Sequence, residues 1–208
     1  GEKAADMSDI LGYNPLTAVR KIGMKGVRKI TVVGGNKGLL AWEKYAKSKE
    51  IHTFKSIDER TSYTISKDEA SLLSELARKL GARPEELVNL KVSDLKIDDF
   101  SIQLMQSKGK RGTVDKIRTE RNQQDLVKRL IDFANETNKT QNSKLFSLDT
   151  PAKLSAFAKY LSTNSGKSIQ IYDSVANTLY NLGEAVPAGK SVGNLKGSPA
   201  STAGKGLT

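Results

Sequence analysis

The sequence contains no cysteine and only one histidine, His52. The missing cysteines exclude disulfides, thiolate zinc sites and cysteine nucleophiles, and a lone histidine excludes sites that need two imidazoles, such as HExxH zinc motifs. No apolar run approaches the roughly 20 residues that span a bilayer, and the N-terminus has no secretory hydrophobic region. We therefore expect a cytoplasmic protein that uses no metal and no cofactor.

Apolar and aromatic residues are also scarce. Hydrophobic residues make up 37% of the chain and aromatic residues 6%, and the mean hydropathy is −0.46. This composition predicts a modest core with a good deal of peripheral chain. Few aromatic side chains argue against a surface on which RNA bases stack, although an RNA-binding or ribosome-associated protein stays among the alternatives.

Positive charge is what the sequence has in excess. Its 34 Lys and Arg residues outnumber 23 Asp and Glu residues, which gives a net charge of +11 and an isoelectric point near 9.7. This excess favours a polyanionic partner, because lysines and arginines that neutralise phosphates release counterions. Composition alone therefore predicts contact with nucleic acid.

The first 36 residues have the composition of a basic N-terminal arm, polar at first and then rich in Lys, Arg and Gly. Within the arm, the β-branched run from Lys29 to Val33 predicts a short strand, and Gly34-Gly35-Asn36 closes it. Those glycines fit neither GxxxxGK[ST] nor GxGxxG. They therefore indicate a turn rather than a phosphate-binding loop.

Two amphipathic helices are predicted after the arm. The first runs from Lys37 to Glu50, with His52 and Phe54 following in a connecting segment. The second runs from Ser66 to Leu80. Ser66 has the character of an N-cap, and Glu69 three residues later completes the pattern of a capping box.

The hydrophobic period changes after the second helix. Gly81 ends that helix, and Pro84 opens a short one. Apolar residues from Leu95 to Met105 then indicate a strand region with a turn at Asp98-Asp99. A second strand, from Thr113 to Arg118, returns after a basic turn.

Three further helices are predicted toward the C-terminus, from Gln123 to Asn135, from Pro151 to Leu161 and from Ile169 to Leu182. Gly183 stops the last of them. Residues 184–208 are mostly Gly, Ser, Ala, Lys and Pro without apolar periodicity. This composition indicates a flexible or partner-bound tail.

The segment from Gly81 to Leu95, which reads GARPEELVNLKVSDL, resembles the first-arginine motif of the tyrosine recombinases, or phage integrases. In that family the arginine binds the scissile phosphate from the start of a helix, so that the guanidinium fork and the helix N-terminus face one anion. The resemblance places Arg83 at that position, and Glu86 and Leu87 at the structural Glu-Leu pair. It implies a mainly helical α+β fold, with helices around a small antiparallel sheet or hairpin, like a trimmed recombinase catalytic domain.

The basic turn follows the motif in the order that the family has it. The family's β-hairpin turn carries a lysine that reaches the DNA as a general acid, and Lys108 resembles it. We expect nucleic-acid contacts that position a DNA backbone without specifying its sequence. They come from Arg83 and from basic stretches around the hairpin and in the arm, namely Arg83, Lys108, Lys110, Arg111, Lys116, Arg118, Arg121, Lys25, Arg28 and Lys29.

The sequence departs from the family beyond the hairpin. The family has a later H-x-x-R segment and then a tyrosine nucleophile. In the segment that matches best, Tyr172 stands in place of the histidine, Val175 in place of the second arginine and Ala176 in place of the next histidine, and no tyrosine follows Tyr180. With half of the phosphate clamp and the nucleophile missing, we expect no catalytic residue and no strand cleavage.

These patterns divide the chain into four parts: the arm (1–36), a helical remnant resembling a core-binding domain (37–62), a recombinase-like domain (63–183) and the tail (184–208). They predict a non-catalytic protein that binds duplex DNA, a regulator, accessory or architectural factor of phage or mobile-element origin in a bacterial or virus-infected cell. The tail would serve self-association or a protein partner. The alternatives are a phage particle or nucleoprotein component that contacts packaged DNA, and a fragment of an active recombinase.

Overall fold

The computed structural model describes the backbone of residues 30–33, 35–107, 114–165, 170–173 and 178–181, and the side chains of residues 38–106 and 117–165. These residues form an α+β structure of helices and small antiparallel sheets, which confirms the predicted fold class. The helices are α1 (Gly35–Ala46), α2 (Lys67–Lys79), α3 (Pro84–Asn89), α4 (Gln124–Glu136) and α5 (Pro151–Asn164). The strands are β1 (Ile30–Val33), β2 (Ile51–Lys55), β3 (Ser62–Ser66), β4 (Leu95–Lys96), β5 (Ser101–Ser107), β6 (Val114–Glu120), β7 (Gln170–Asp173) and β8 (Thr178–Asn181).

Helix α2 lies inside the fold, with every residue from Glu69 to Arg78 buried. Its start is the predicted one, since Ser66 Oγ accepts a hydrogen bond from the backbone N–H of Glu69 at 3.2 Å. The Glu69 carboxylate accepts instead from Ser147 Oγ at 2.7 Å and from the backbone N–H of Leu148 at 3.1 Å. The glutamate of the predicted capping box thus fastens a distant loop to the first turn of α2.

The segment that contains His52 and Phe54 is a strand, and its prediction as a connection was wrong. In β2, His52 pairs with Ile65 and Phe54 with Tyr63 of the antiparallel strand β3. Both residues are buried, and their neighbours along β2 are exposed. The strand was missed because one of its two inward side chains is a histidine, so the alternation of apolar and polar residues is hidden. Helix α1 ends four residues before its predicted end.

Of the two three-stranded antiparallel sheets among the described residues, the one with the order β4-β5-β6 confirms the predicted strand region, its turn near Asp98-Asp99 and the returning strand. Leu95 pairs with Ile102, and Leu104 pairs with Arg118. The side chains of Ile102 and Leu104 are completely buried, so this face of β5 covers the core. The basic turn itself, residues 108–113, lies outside the described residues.

The helix predicted from Ile169 to Leu182 is wrong, because the described residues of this segment form two strands. β7 and β8 pair with each other in antiparallel fashion, and β7 also pairs with β1, the strand predicted in the arm. Ile171, Val175 and Leu179 are spaced by four residues, which fits one face of a helix and equally one face of a strand. Val175 and Ala176 were matched to the family's second arginine and next histidine on a segment predicted as a helix, and that prediction does not hold. Both residues lie outside the described part of the chain.

One hydrophobic cluster joins helices, sheet and connecting loops. Trp42 of α1 and Phe54 of β2, both from the segment predicted as a core-binding remnant, lie in the same cluster as Leu73 of α2 and Leu104 of β5. Each large apolar side chain buried in this way contributes about 1.5–3 kcal/mol to folding. This core holds α2, and therefore the turn that follows α2, in a defined position.

Candidate nucleic-acid interface

Arg83 stands at the start of α3, where the first-arginine motif predicts a phosphate-binding side chain. After α2, Gly81 turns the chain with a φ of 60°, which glycine adopts without steric cost. Arg83 is the N-cap residue of α3 and its side chain is exposed. The backbone N–H of Arg83 donates to Glu86 Oε1 at 2.9 Å. The glutamate of the motif therefore fixes the start of the helix and leaves the arginine side chain at the surface.

The side chain of Arg118 in β6 stabilises the start of α3. Its Nε and Nη2 donate to the two carboxylate oxygens of Glu86 at 2.8 and 3.0 Å, and its Nη1 donates to Glu120 at 2.9 Å. Nη2 also donates to the backbone oxygens of Leu80 and Gly81. Hydrogen bonding to Glu86 is the main reason that the pKa of Arg118 lies above its ordinary value. Arg118 thus ties β6 to the turn between α2 and α3.

Two predicted DNA contacts, Arg118 in β6 and Arg121 directly after this strand, therefore differ in their surroundings. Arg118 is half-buried, and all of its side-chain nitrogens donate to protein acceptors. Arg121 is exposed and pairs with Asp99 at 3.3 Å. Because water and salt weaken such an exposed ion pair, the Arg121 side chain can exchange Asp99 for another anion.

The remaining predicted contacts lie toward or beyond the edges of the described structure. Lys116 occupies β6 opposite Gln106, two residues or about 7 Å along the strand from Arg118. The turn between α2 and α3, which Arg118 contacts, is therefore close to the strand that leads out of the basic hairpin. Six predicted residues fall outside the described part of the chain: Lys25, Arg28, Lys29, Lys108, Lys110 and Arg111.

Net charge is distributed unevenly along the chain. The residues with described side chains include 19 Lys and Arg against 17 Asp and Glu, a net charge of +2. Residues 1–37, 107–116 and 166–208 together include 15 Lys and Arg against 6 Asp and Glu, a net charge of +9. The attraction to a polyanion that composition predicts therefore comes mainly from these three segments.

An ion-pair network around two buried carboxylates, Glu43 and Glu75, is a polar feature that the sequence did not predict. Arg78 Nε donates to Glu43 at 2.5 Å, Arg129 donates to Glu75, and Lys47 lies 3.1 Å from Glu43 and 3.3 Å from Glu75. Burial raises the pKa of both carboxyls, but the neighbouring cations outweigh it and hold both pKa values below the ordinary range. The local signs were the i,i+4 pairs of Glu43 with Lys47, Glu75 with Lys79 and Asp125 with Arg129. The network joins α1, α2 and α4.

His52 is completely buried and serves as a packing residue. Its Nε2 lies 2.7 Å from the backbone oxygen of Ala46 and its Nδ1 lies 2.7 Å from the Tyr160 hydroxyl. Because a carbonyl oxygen only accepts, Nε2 donates to Ala46, while the Tyr160 hydroxyl can donate to or accept from Nδ1. Both ring nitrogens are thus engaged in joining α1, β2 and α5.

Among the residues that the structure describes, no group of three or more His, Cys, Asp and Glu side chains is arranged to hold a metal ion. No helix among them has the length and apolarity needed to cross a membrane. A cleft of about 160 Å³ lies between α2 and α4, lined by Asp68, Ser71, Leu72, Arg129, Asp132, Phe133 and Glu136. Neither Arg83 nor Arg118 lines this cleft, so the arrangement around Arg83 is a surface rather than part of that cavity.

A scan against protein-family models, a search of curated proteins and a search of solved structures each found no match to this chain. The similarity to tyrosine recombinases therefore stays a prediction from the motif residues.

Proposed function

We propose that this protein binds the phosphate backbone of duplex DNA without cutting it, on a scaffold similar to a trimmed tyrosine-recombinase catalytic domain. The observation that carries the proposal is Arg83, exposed at the start of α3 and fixed there by Glu86 and Arg118. Arg118, whose side chain reaches the turn before Arg83, belongs to the strand that leads out of the basic hairpin. The corresponding role is a regulator, accessory factor or architectural factor of a phage or mobile element.

The order of elements supports this scaffold. The central helix α2 is followed by a left-handed glycine, by Arg83, by the short helix α3 and by a three-stranded antiparallel sheet. The connection between β5 and β6 contains Lys108, Lys110 and Arg111. This is the order that the motif residues and the basic turn imply.

The two carboxylates near Arg83 are paired with an arginine inside the protein. Glu86 and Glu120 are buried carboxylates close to the start of α3, and alone they would repel a phosphate. Arg118 pairs with both through charge-assisted hydrogen bonds at 2.8 to 3.0 Å and offsets one of their two negative charges. In the proposed site Arg118 is therefore a positioning residue, and Arg83 makes the phosphate contact.

Strand cleavage is not expected, because the second arginine and the tyrosine nucleophile of the family have no counterpart in the segment that matches best. Loss of one electrostatic partner of this kind costs about 10²- to 10³-fold in rate. Tyr172, which stands in place of the family's histidine, lies in strand β7 rather than on a helix.

A gel-shift titration of the full chain with duplex DNA, at salt concentrations from about 50 to 200 mM, tests the proposal. We expect salt-dependent binding that weakens in Arg83→Ala and in the triple variant Lys108→Ala, Lys110→Ala, Arg111→Ala. Arg60→Ala, which removes an exposed arginine from the turn between β2 and β3, is the matched control. Absence of salt-dependent binding by the wild type overturns the proposal, and equal effects of R83A and R60A exclude Arg83 as the contact.

Incubation with a nicked or suicide duplex substrate, followed by a denaturing gel, tests the absence of cleavage. The expected result is free DNA without a covalently attached protein band. A covalent adduct would show that the chain is a fragment of an active recombinase.

A further inference from the structure

We propose that a second phosphate-contact surface surrounds the 3-10 turn Val92–Asp94 and consists of Lys91, Lys96 and Lys144. Its ligand is the backbone of the same duplex DNA. This inference rests on the proposed function and adds residues that lie outside the turn at Arg83, outside the basic hairpin and outside the arm.

The central observation is that two lysines face each other directly. Lys91 and Lys144 form an isolated antiparallel bridge. The flanking hydrogen bond runs from the backbone N–H of Leu145 to the backbone oxygen of Leu90 at 2.8 Å. Lys91 and Lys144 are therefore a non-hydrogen-bonded pair, in which the Cα atoms are about 4.5 Å apart and the side chains leave the same face. Like charges placed directly opposite each other are destabilising. An anion bound between the two lysines attracts both of them and offsets that repulsion.

A third lysine lies over the same turn. Lys96 Nζ donates to the backbone oxygen of Ser93 at 2.8 Å, two residues after Lys91. Lys96 and Lys144 are exposed and Lys91 is half-buried. The backbone beneath them is held by further hydrogen bonds, including one from the N–H of Ser93 to the oxygen of Gln141 at 3.0 Å. Lys144 Nζ donates to the backbone oxygen of Asp149 at 3.3 Å, so two of the three ammonium groups rest on nearby backbone oxygens.

The two neighbouring carboxylates are already engaged within the protein. Asp94 is only 4% exposed, and its carboxylate accepts from the backbone N–H of Lys91 at 2.9 Å. Asp149 pairs with Lys153 at 2.9 Å. Asp94 also attracts Lys91 and Lys96, and Asp149 attracts Lys144, so these two carboxylates offset part of the positive charge around the turn.

A duplex backbone suits this surface better than a single small anion. Lysine acts as a point charge and lacks the planar fork with which arginine grips one phosphate in two places. A set of lysines is therefore adapted to a repeating row of phosphates. Arg83 precedes and Lys91 follows the six-residue helix α3, whose length is about 9 Å, so one duplex can contact both ends of the helix.

The test compares two double variants that remove the same charge. Lys91→Gln with Lys144→Gln changes the proposed surface, and Lys44→Gln with Lys159→Gln removes two exposed lysines of α1 and α5. Each phosphate contact contributes about −0.9 to the slope of log affinity against log salt. Loss of two contacts in K91Q/K144Q should therefore make its affinity fall about 12-fold less than the wild-type affinity between about 50 and 200 mM salt. The control variant should keep the wild-type slope.

Urea unfolding of both variants completes the experiment. Both double variants should still unfold in one cooperative transition, so that a change of slope reports binding rather than loss of the fold. If the wild type binds DNA but K91Q/K144Q keeps the wild-type slope, this inference is overturned and the proposed function stays intact. The same conclusion holds if the two double variants change the slope equally. Failure of the wild type to bind refutes the proposed function itself. Preference for duplex RNA over duplex DNA, with the same change of slope, overturns the choice of DNA.

Discussion

Neutralising Glu43 should destabilise the fold far more than the same change at Glu50, although both carboxylates lie 2.5 Å from a cation. The side chains of Glu43 and its partner Arg78 are 8% and 5% exposed, whereas Glu50 is 85% exposed. Glu43→Gln replaces the charged group that Arg78 Nε contacts with a neutral amide, and breaking a buried pair in this way costs about 3–5 kcal/mol. The remaining amide oxygen still accepts one hydrogen bond, so we expect about 3 kcal/mol. E50Q should cost less than about 1 kcal/mol.

Urea unfolding followed by the fluorescence of Trp42 measures both changes. Trp42 is the sole tryptophan, is 1% exposed and precedes Glu43 directly on α1. For a chain of this size, about 3 kcal/mol corresponds to a fall in Tm of roughly 6–12 °C. The double variant Glu43→Met with Arg78→Met should regain most of the loss, because apolar replacements remove both buried charges. Equal unfolding free energies of E43Q and E50Q would refute the reasoning from burial.

Two further predictions concern Glu69 and Arg118. Burial raises the pKa of Glu69 despite the hydrogen bonds from Ser147 and Leu148, so its contribution to stability is present below the ordinary glutamate pKa and is lost as pH rises through the raised pKa. Urea unfolding from acid to neutral pH should therefore show Glu69→Gln gaining stability relative to the wild type as pH rises, and a relative loss would contradict this. Arg118→Gln leaves the buried Glu86 carboxylate without its charged partner and should cost about 2 kcal/mol. Arg118→Lys should lie between that value and the wild type in the same unfolding assay, and full stability of R118Q would show that Arg118 does not brace the turn.

Local signals predicted the part of the candidate site that lies within one stretch of chain. Ser66 at the start of α2, Gly81 after its end and Pro84 at the start of α3 each act through their own backbone conformation or hydrogen bonding. The returning strands β5 and β6 were also predicted, because β-branched and apolar residues flank a basic turn. The exposed position of Arg83 at the start of a helix follows from these signals together.

Local signals could not predict contacts between residues that are far apart in the sequence. Arg118 is 32 residues from Glu86, and Arg78 is 35 residues from Glu43. Nothing local distinguishes Arg118, which braces the turn, from Arg121, which forms only an exposed pair. The charge at both positions is the same, and only burial against the carboxylates separates a structural arginine from a candidate contact.

The sequence by itself determined the α+β class, the positive charge and the turn that places Arg83, because each depends on composition or on hydrogen bonds between near neighbours. Only the tertiary structure decided that the segment around Tyr172 forms strands, since β7 pairs with β1 about 140 residues earlier in the chain. It alone also placed Lys91 opposite Lys144. Pairing across such distances depends on how the whole chain packs, and no window of sequence contains it.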